Sequence, residues 1–144
     1  MTTTVPAVKA ALVVLLASVL PDVEVIYGPI TTETITTPRV LCVGDARGTS
    51  KLDSMTLATS LEQYTVTLTF SFTINGPDAQ QAATEAACLA YAAAEHAVRL
   101  AADLGVAGVL QAIPTGDFEL IEADTALGSN AAVKWSVYVQ AQRT

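Results

Sequence analysis

The sequence predicts an α+β fold: an N-terminal helix and a mostly antiparallel β-sheet with one long central helix packed on it. Three stretches carry this expectation. From Tyr64 to Ile74 apolar residues (Tyr64, Val66, Leu68, Phe70, Phe72, Ile74) alternate with hydroxyls (Thr65, Thr67, Thr69, Ser71, Thr73), the period of a half-buried strand. From Asp78 to Leu104 an Ala-rich run stops at Gly105, which reads as a helix closed by glycine. Beyond Gly105 the period returns to two. At 144 residues one core suffices, since a domain takes roughly 100–200 residues, and residues 1–144 are expected to form a single domain.

The first helix is expected over Val5 to Leu20, with Thr4 as N-cap, Pro6 in the first turn where its missing N–H costs nothing, and Pro21-Asp22 as its end. Val8, Leu12, Leu15, Leu16, Val19 and Leu20 would form its core stripe. The apolar run Ala10 to Leu20 is too short to span a bilayer, and only Lys9 precedes it where a signal peptide wants a basic head. Val23 to Tyr27 reads as a short strand ending at Gly28-Pro29, and a Thr-rich stretch follows from Thr31 to Thr37. Pro38 then precedes a second strand, Arg39 to Val43, and a polar segment from Gly44 to about Leu61 is expected as a long loop.

After the long strand, Asn75-Gly76-Pro77 breaks the chain and Asp78 with Gln81 makes a capping-box pattern. The helix should then pack on the sheet through Ala82, Ala83, Ala86, Leu89, Ala90, Ala93, Ala97, Leu100, Ala101 and Leu104. Val109 to Ile113, Phe118 to Ile121 and the alternating Val133 to Val139 read as strands, with Pro114-Thr115-Gly116 and Gly128-Ser129-Asn130 as turns. Cys42 on a strand and Cys88 on the helix read as free thiols, not as a disulfide.

Composition narrows the function. Seven Lys+Arg against 14 Asp+Glu give a net charge of −7, which argues against an exposed basic face that tracks phosphates. Only 15% of residues are charged while 51% are hydrophobic, so the surface must be covered by uncharged polar groups, by Ala or by a neighbour. His96, the one histidine, sits among alanines with no second ligand near it in sequence, where a zinc site generally wants four ligands. The Gly44 to Lys51 segment has three residues between its glycines and places Lys too late for a phosphate loop. Asp117, Glu119, Glu122 and Asp124 form the densest acidic patch, but strand alternation splits the first two from the last two and no calcium-loop glycine accompanies them. A solvated sheet edge or turn is the better reading. No catalytic residue, cofactor site or metal site is expected.

Taken together, the apolar N-terminal helix, the strand pair (Val23 to Tyr27, Arg39 to Val43), the segment from Gly44, the long alternating strand, the Asp78 to Leu104 helix and the final Val133-Lys134-Trp135-Ser136-Val137-Tyr138-Val139 run resemble the tail terminator proteins of long-tailed bacteriophages. The resemblance is one of architecture, length and composition over nearly the whole chain. It implies a virion subunit that forms a ring with copies of itself, typically six, on the last ring of the tail tube. Such a ring stops tube growth and docks to a head-completion or connector protein, while DNA passes through the lumen without specific binding. The acidic balance suits that passage, because an acidic lumen repels phosphates. Arg47, Lys51 and Asp53 in the polar segment and Thr65, Thr67 and Thr69 on the hydroxyl face are the candidate subunit or tube contacts. Burying Thr or Ser costs less than burying an unpaired charge. Two other readings stand beside this one: a different head–tail connector or assembly adaptor, and a small-ligand-binding or enzymatic domain using the acidic patch.

Overall fold

The computed structural model describes residues 3–29, 38–54 and 59–143, with side chains of 51–54, 59 and 143 left aside. Two helices lie on one face of a five-stranded sheet. In chain order these are α1 (Val5–Val19), β1 (Glu24–Tyr27), β2 (Arg39–Ser54), β3 (Thr59–Ile74), α2 (Ala79–Ala101), β4 (Val109–Thr125) and β5 (Gly128–Arg143). The sheet order is β1-β2-β3-β5-β4. β1 runs parallel to β2 and every other pairing is antiparallel, so the α+β architecture with a mostly antiparallel sheet and a helix packed on it is the observed one.

The expected loop from Gly44 to Leu61 is a correction. Apart from 55–58, which lie outside the described residues, it forms the ends of β2 and β3, paired from Ala46↔Val66 through Lys51↔Leu61. A register shift between Val43 and Ala46 absorbs Gly44-Asp45 as a bulge. The polar composition that suggests a loop belongs instead to a strand whose outward residues, Asp45, Arg47 and Thr49, are exposed. Gly48 marks the close approach of the two arms: a Cβ there would sit 2.1 Å from the Gln63 carbonyl oxygen and 2.3 Å from Tyr64 Cβ. The Thr31 to Thr37 stretch lies outside the described residues.

A second correction concerns the C-terminal strands. Val109 to Ile113 and Phe118 to Ile121 belong to one strand, β4, and Pro114-Thr115-Gly116 begins a bulge between Pro114↔Val137 and Phe118↔Trp135 instead of a turn. Proline is tolerated there because β4 is an edge strand. The hairpin turns at Ala126-Leu127, with Thr125 opposite Gly128.

The helix caps also differ from expectation. Thr4 has helical backbone angles and makes no capping bond; the Thr3 hydroxyl instead accepts from Val5 N–H at 3.3 Å. Asp78 has φ +56°, outside the extended region an N-cap needs, and caps nothing. Gln81 accordingly turns to Glu85, donating at 3.0 Å. α2 stops at Ala101 and not Leu104, since positive φ at Ala102, Leu104 and Gly105 unwinds the chain.

The core fills the space between helices and sheet. α1 contributes Val8, Leu12, Leu16 and Leu20, while Leu15 is half-buried and Val19 is exposed, narrowing the expected stripe. The face α2 buries is Ala79, Ala83, Ala87, Ala90, Ala94 and Val98. That face is rotated from the expected one, and Leu89 and Leu100 are 74% and 73% exposed. The sheet answers with Leu41, Val43, Tyr64, Val66, Leu68, Phe70, Phe72 and alternate residues of β5 from Ala131 to Ala141. Trp135 stacks on Phe70 with centroids 6.3 Å apart. Cys42 is buried and Cys88 half-buried, and neither is in a disulfide.

Candidate assembly surface

Among the described residues the face away from the helices is only partly exposed: Val40, Cys42 and Ser71 on that side are buried, while Arg47 and Lys134 are exposed. Because side chains alternate, β3 presents Thr65, Thr67 and Thr69 on that side, each half-buried. Their cross-strand neighbours on β5 are Tyr138, Ser136 and Lys134. On β2, Arg47 lies directly opposite Thr65 and Cys42 opposite Thr69. The structure thus joins Arg47 to the hydroxyl row on one face. Lys51 and Asp53 fall within β2, Lys51 opposite Leu61, and their side chains are outside the described residues. At the far end of the row the Asn130 amide donates to the Ser71 and Thr73 hydroxyls at 2.9 and 3.1 Å.

Of the two placements left open, sheet edge or turn, the acidic patch takes the first: it lies along β4, at the end of the sheet order. Glu119 is opposite Lys134 and shares the face away from the helices, Glu122 and Asp124 are opposite Ala131 and Ser129, and Asp117 lies in the bulge. Asp124 is held by the Ser129 hydroxyl at 3.0 Å. Among the described residues, no three His, Cys, Asp or Glu gather as a metal site. Nor is any described helix long and apolar enough to cross a membrane.

Composition did not mark out the apolar residues on this edge. Leu110, Ile113, Phe118, Ile121 and Leu127 on β4 and its turn are exposed, Phe118 by 60% and Ile121 by 50%. Phe118 leans on Tyr91 of α2, centroids 5.4 Å apart, and Tyr91 meets Trp135 at 5.5 Å. Their exposure follows from the place of β4 at the end of the sheet order, which no local pattern in the sequence records.

Two polar clusters are structural. Glu62, 5% exposed, accepts from the Thr3 hydroxyl (2.5 Å), the Thr4 amide (2.9 Å) and the Thr4 hydroxyl (3.0 Å). Its carboxylate thereby satisfies the start of α1, where the helix dipole favours negative charge. Tyr64 shares a 2.9 Å bond with the Thr4 hydroxyl. Burial pushes its phenol up to about 12, with the Glu62 charge adding and the Thr4 bond opposing. On α2, the Tyr91 hydroxyl donates to Glu95, and Arg99 pairs with the same carboxylate at 3.0 Å. The Tyr91 bond, with Arg99 behind it, holds the Glu95 carboxyl below its ordinary value. Burial, and after it the bond to Glu95, push the Tyr91 phenol up to about 12. Glu62 and Tyr64 also line a shallow pocket of about 300 Å³ with Thr3, Ala46, Thr49 and Ser50. A groove of about 290 Å³ between the end of α1, Phe72 and α2 is lined mainly by Val19, Leu20, Val23, Ala86, Leu89 and Ala90, with Arg39 and Asp22 at its rim.

No protein-family model matches the chain. No curated protein sequence matches it either. Among solved structures, the fold is similar to that of a chain in the virion of a native gene transfer agent particle, with a TM-score of 0.60, at 11% identity, over 99% of this chain and 100% of that one.

Proposed function

We propose that this protein is a structural subunit of a phage-like virion, and within it a ring-forming tail terminator. It caps the tail tube, stops tube growth and joins the tube to head-completion proteins. The end-to-end fold likeness to a chain of a gene transfer agent virion carries this reading, since it spans both chains at a TM-score of 0.60. The surface supports it: a row of half-buried hydroxyls and an edge strand studded with exposed apolar residues are what subunit contacts use, whereas a catalytic site needs convergent reactive groups. The mechanism is capping by shape, without chemistry or cofactor. The net charge of −7 lets DNA pass the lumen ungripped. The site of action is then the head-proximal end of the tail, after assembly in the host cytoplasm.

The same fold likeness supports a neighbouring role as another head–tail connector or assembly adaptor. Native mass measurement and negative-stain electron microscopy, with the protein alone and with a tail tube protein, separate these. A terminator forms closed rings, expected to hold six copies, and caps tubes at one end. A protein that stays monomeric alone and with tube protein is not a terminator, and one that forms rings but leaves tube length unchanged is a connector.

A further inference from the structure

Both edges of the sheet leave a run of backbone unpaired among the described residues. β4 pairs only with β5, and β1 covers β2 only from Val40 to Val43, so β2 from Asp45 to Thr49 has no strand beside it away from β3. Exposed edges of this length invite pairing with another chain. The two edges differ in charge. β4 carries Asp117, Glu119, Glu122 and Asp124 and no Lys or Arg, while the open run of β2 carries the exposed Arg47, with Asp45 beside it. Pairing of β4 with a second β4 would set four carboxylates against four, and like charges directly opposite destabilise a sheet. The contact the edge favours is therefore between unlike surfaces.

We infer that the outer edge of β4 binds the outer edge of β2 on a second copy of this chain, continuing the sheet from subunit to subunit with Glu119 meeting Arg47. The inference deepens the ring reading proposed above and rests on it. Alternation puts both side chains on the face away from the helices: Glu119 is opposite Lys134, and Arg47 is opposite Thr65, which is in turn opposite Tyr138. The face that bears the pair also bears Ile113 and Ile121, which supply apolar area at the junction. The strand directions agree as well. β2 and β5 run the same way and β4 runs against them, so copies placed side by side in one orientation bring β4 antiparallel to the next β2. Arg47 is level with Tyr138 and Glu119 with Lys134, four residues apart along β5. Joining them requires a stagger of roughly 14 Å at about 3.4 Å per residue. A stagger tilts strands against the axis, as closing a sheet on itself demands. Unlike contact surfaces of this kind generate rings when the rotation closes.

Glu119→Lys, Arg47→Glu, their combination in one chain and an equimolar mixture of the two single variants test this by native mass. Glu85→Lys, the same charge change on the exposed side of α2, is the control, and Ile121→Asn is a second edge variant. Far-UV circular dichroism and Trp135 emission verify that each variant is folded. The expected result is at least a tenfold weakening of self-association in each single edge variant and none in the control. The double variant and the mixture should recover it, because in an alternating ring every junction is again an opposite pair. Single edge variants that assemble like the parent, or a control that weakens assembly as much as they do, overturn the inference while leaving the ring standing. Recovery in neither the double variant nor the mixture overturns the Glu119–Arg47 pairing. A parent protein that never assembles overturns the ring reading itself.

Discussion

At the scale of single residues, a buried carboxylate and a glycine set the geometry. Glu62 ties the start of α1 to β3 through three hydrogen bonds, so Glu62→Ala should cost on the order of 3 kcal/mol by leaving the Thr4 amide and hydroxyl short of an acceptor. Chemical denaturation measures it, and Glu62→Gln, which keeps an acceptor oxygen, should recover part of the loss. Tyr64 gives a pH dependence of definite sign. The folded phenol keeps its proton to about 12 while the unfolded one releases it near 10.0, so between these values the unfolded chain binds fewer protons. Stability contributed by Tyr64 is whole below pH 10 and falls as pH rises toward 12. Denaturation curves at pH 9, 10 and 11 should show this decline, and Tyr64→Phe should flatten it; Tyr91, also raised to about 12, supplies the remainder. Gly48→Ala is expected to lower stability by more than about 2 kcal/mol, since the contacts at 2.1 and 2.3 Å involve a backbone oxygen and a Cβ that cannot swing away.

At the scale of elements, the two periods of the chain were plain in the sequence, but where each element ends and which face it buries were not. The alternation of Tyr64 to Ile74 became the middle of β3, and the Ala-rich run became α2. An alanine-rich helix, however, offers several stripes of similar hydrophobicity, and the large side chains Leu89 and Leu100 drew the expected face toward themselves. The sheet selected instead the stripe Ala83, Ala87, Ala90, Ala94, Val98, because small side chains allow closer approach and more burial for the whole helix. Ala87→Leu should consequently cost about 1–3 kcal/mol through overpacking, whereas Leu89→Ala should stay within about 0.5 kcal/mol; thermal unfolding of the pair distinguishes the observed face from the expected one. The segment from Gly44 onward misled for a related reason. Glycines and charges usually punctuate loops, yet here β3 supplies a template that holds the same residues extended.

At the scale of the whole molecule, the single-domain expectation predicts one cooperative transition. Trp135, 2% exposed between Phe70 and Tyr91, should change emission at the same denaturant midpoint as the far-UV signal; separated midpoints would divide the chain. The sequence by itself determined the fold class, the hydroxyl face of the long strand and the acidic, charge-poor balance, because these follow from local period and composition. Of the candidate contacts it named Arg47 and the row Thr65, Thr67, Thr69, which the structure brings side by side. Only tertiary structure decided that β4 is an edge, that its apolar residues Phe118 and Ile121 stay exposed, and that Glu119 and Arg47 stand on the same face at opposite ends of the sheet. Strand order is set by pairing between residues far apart in the chain, and no local period records which strand is left without a neighbour.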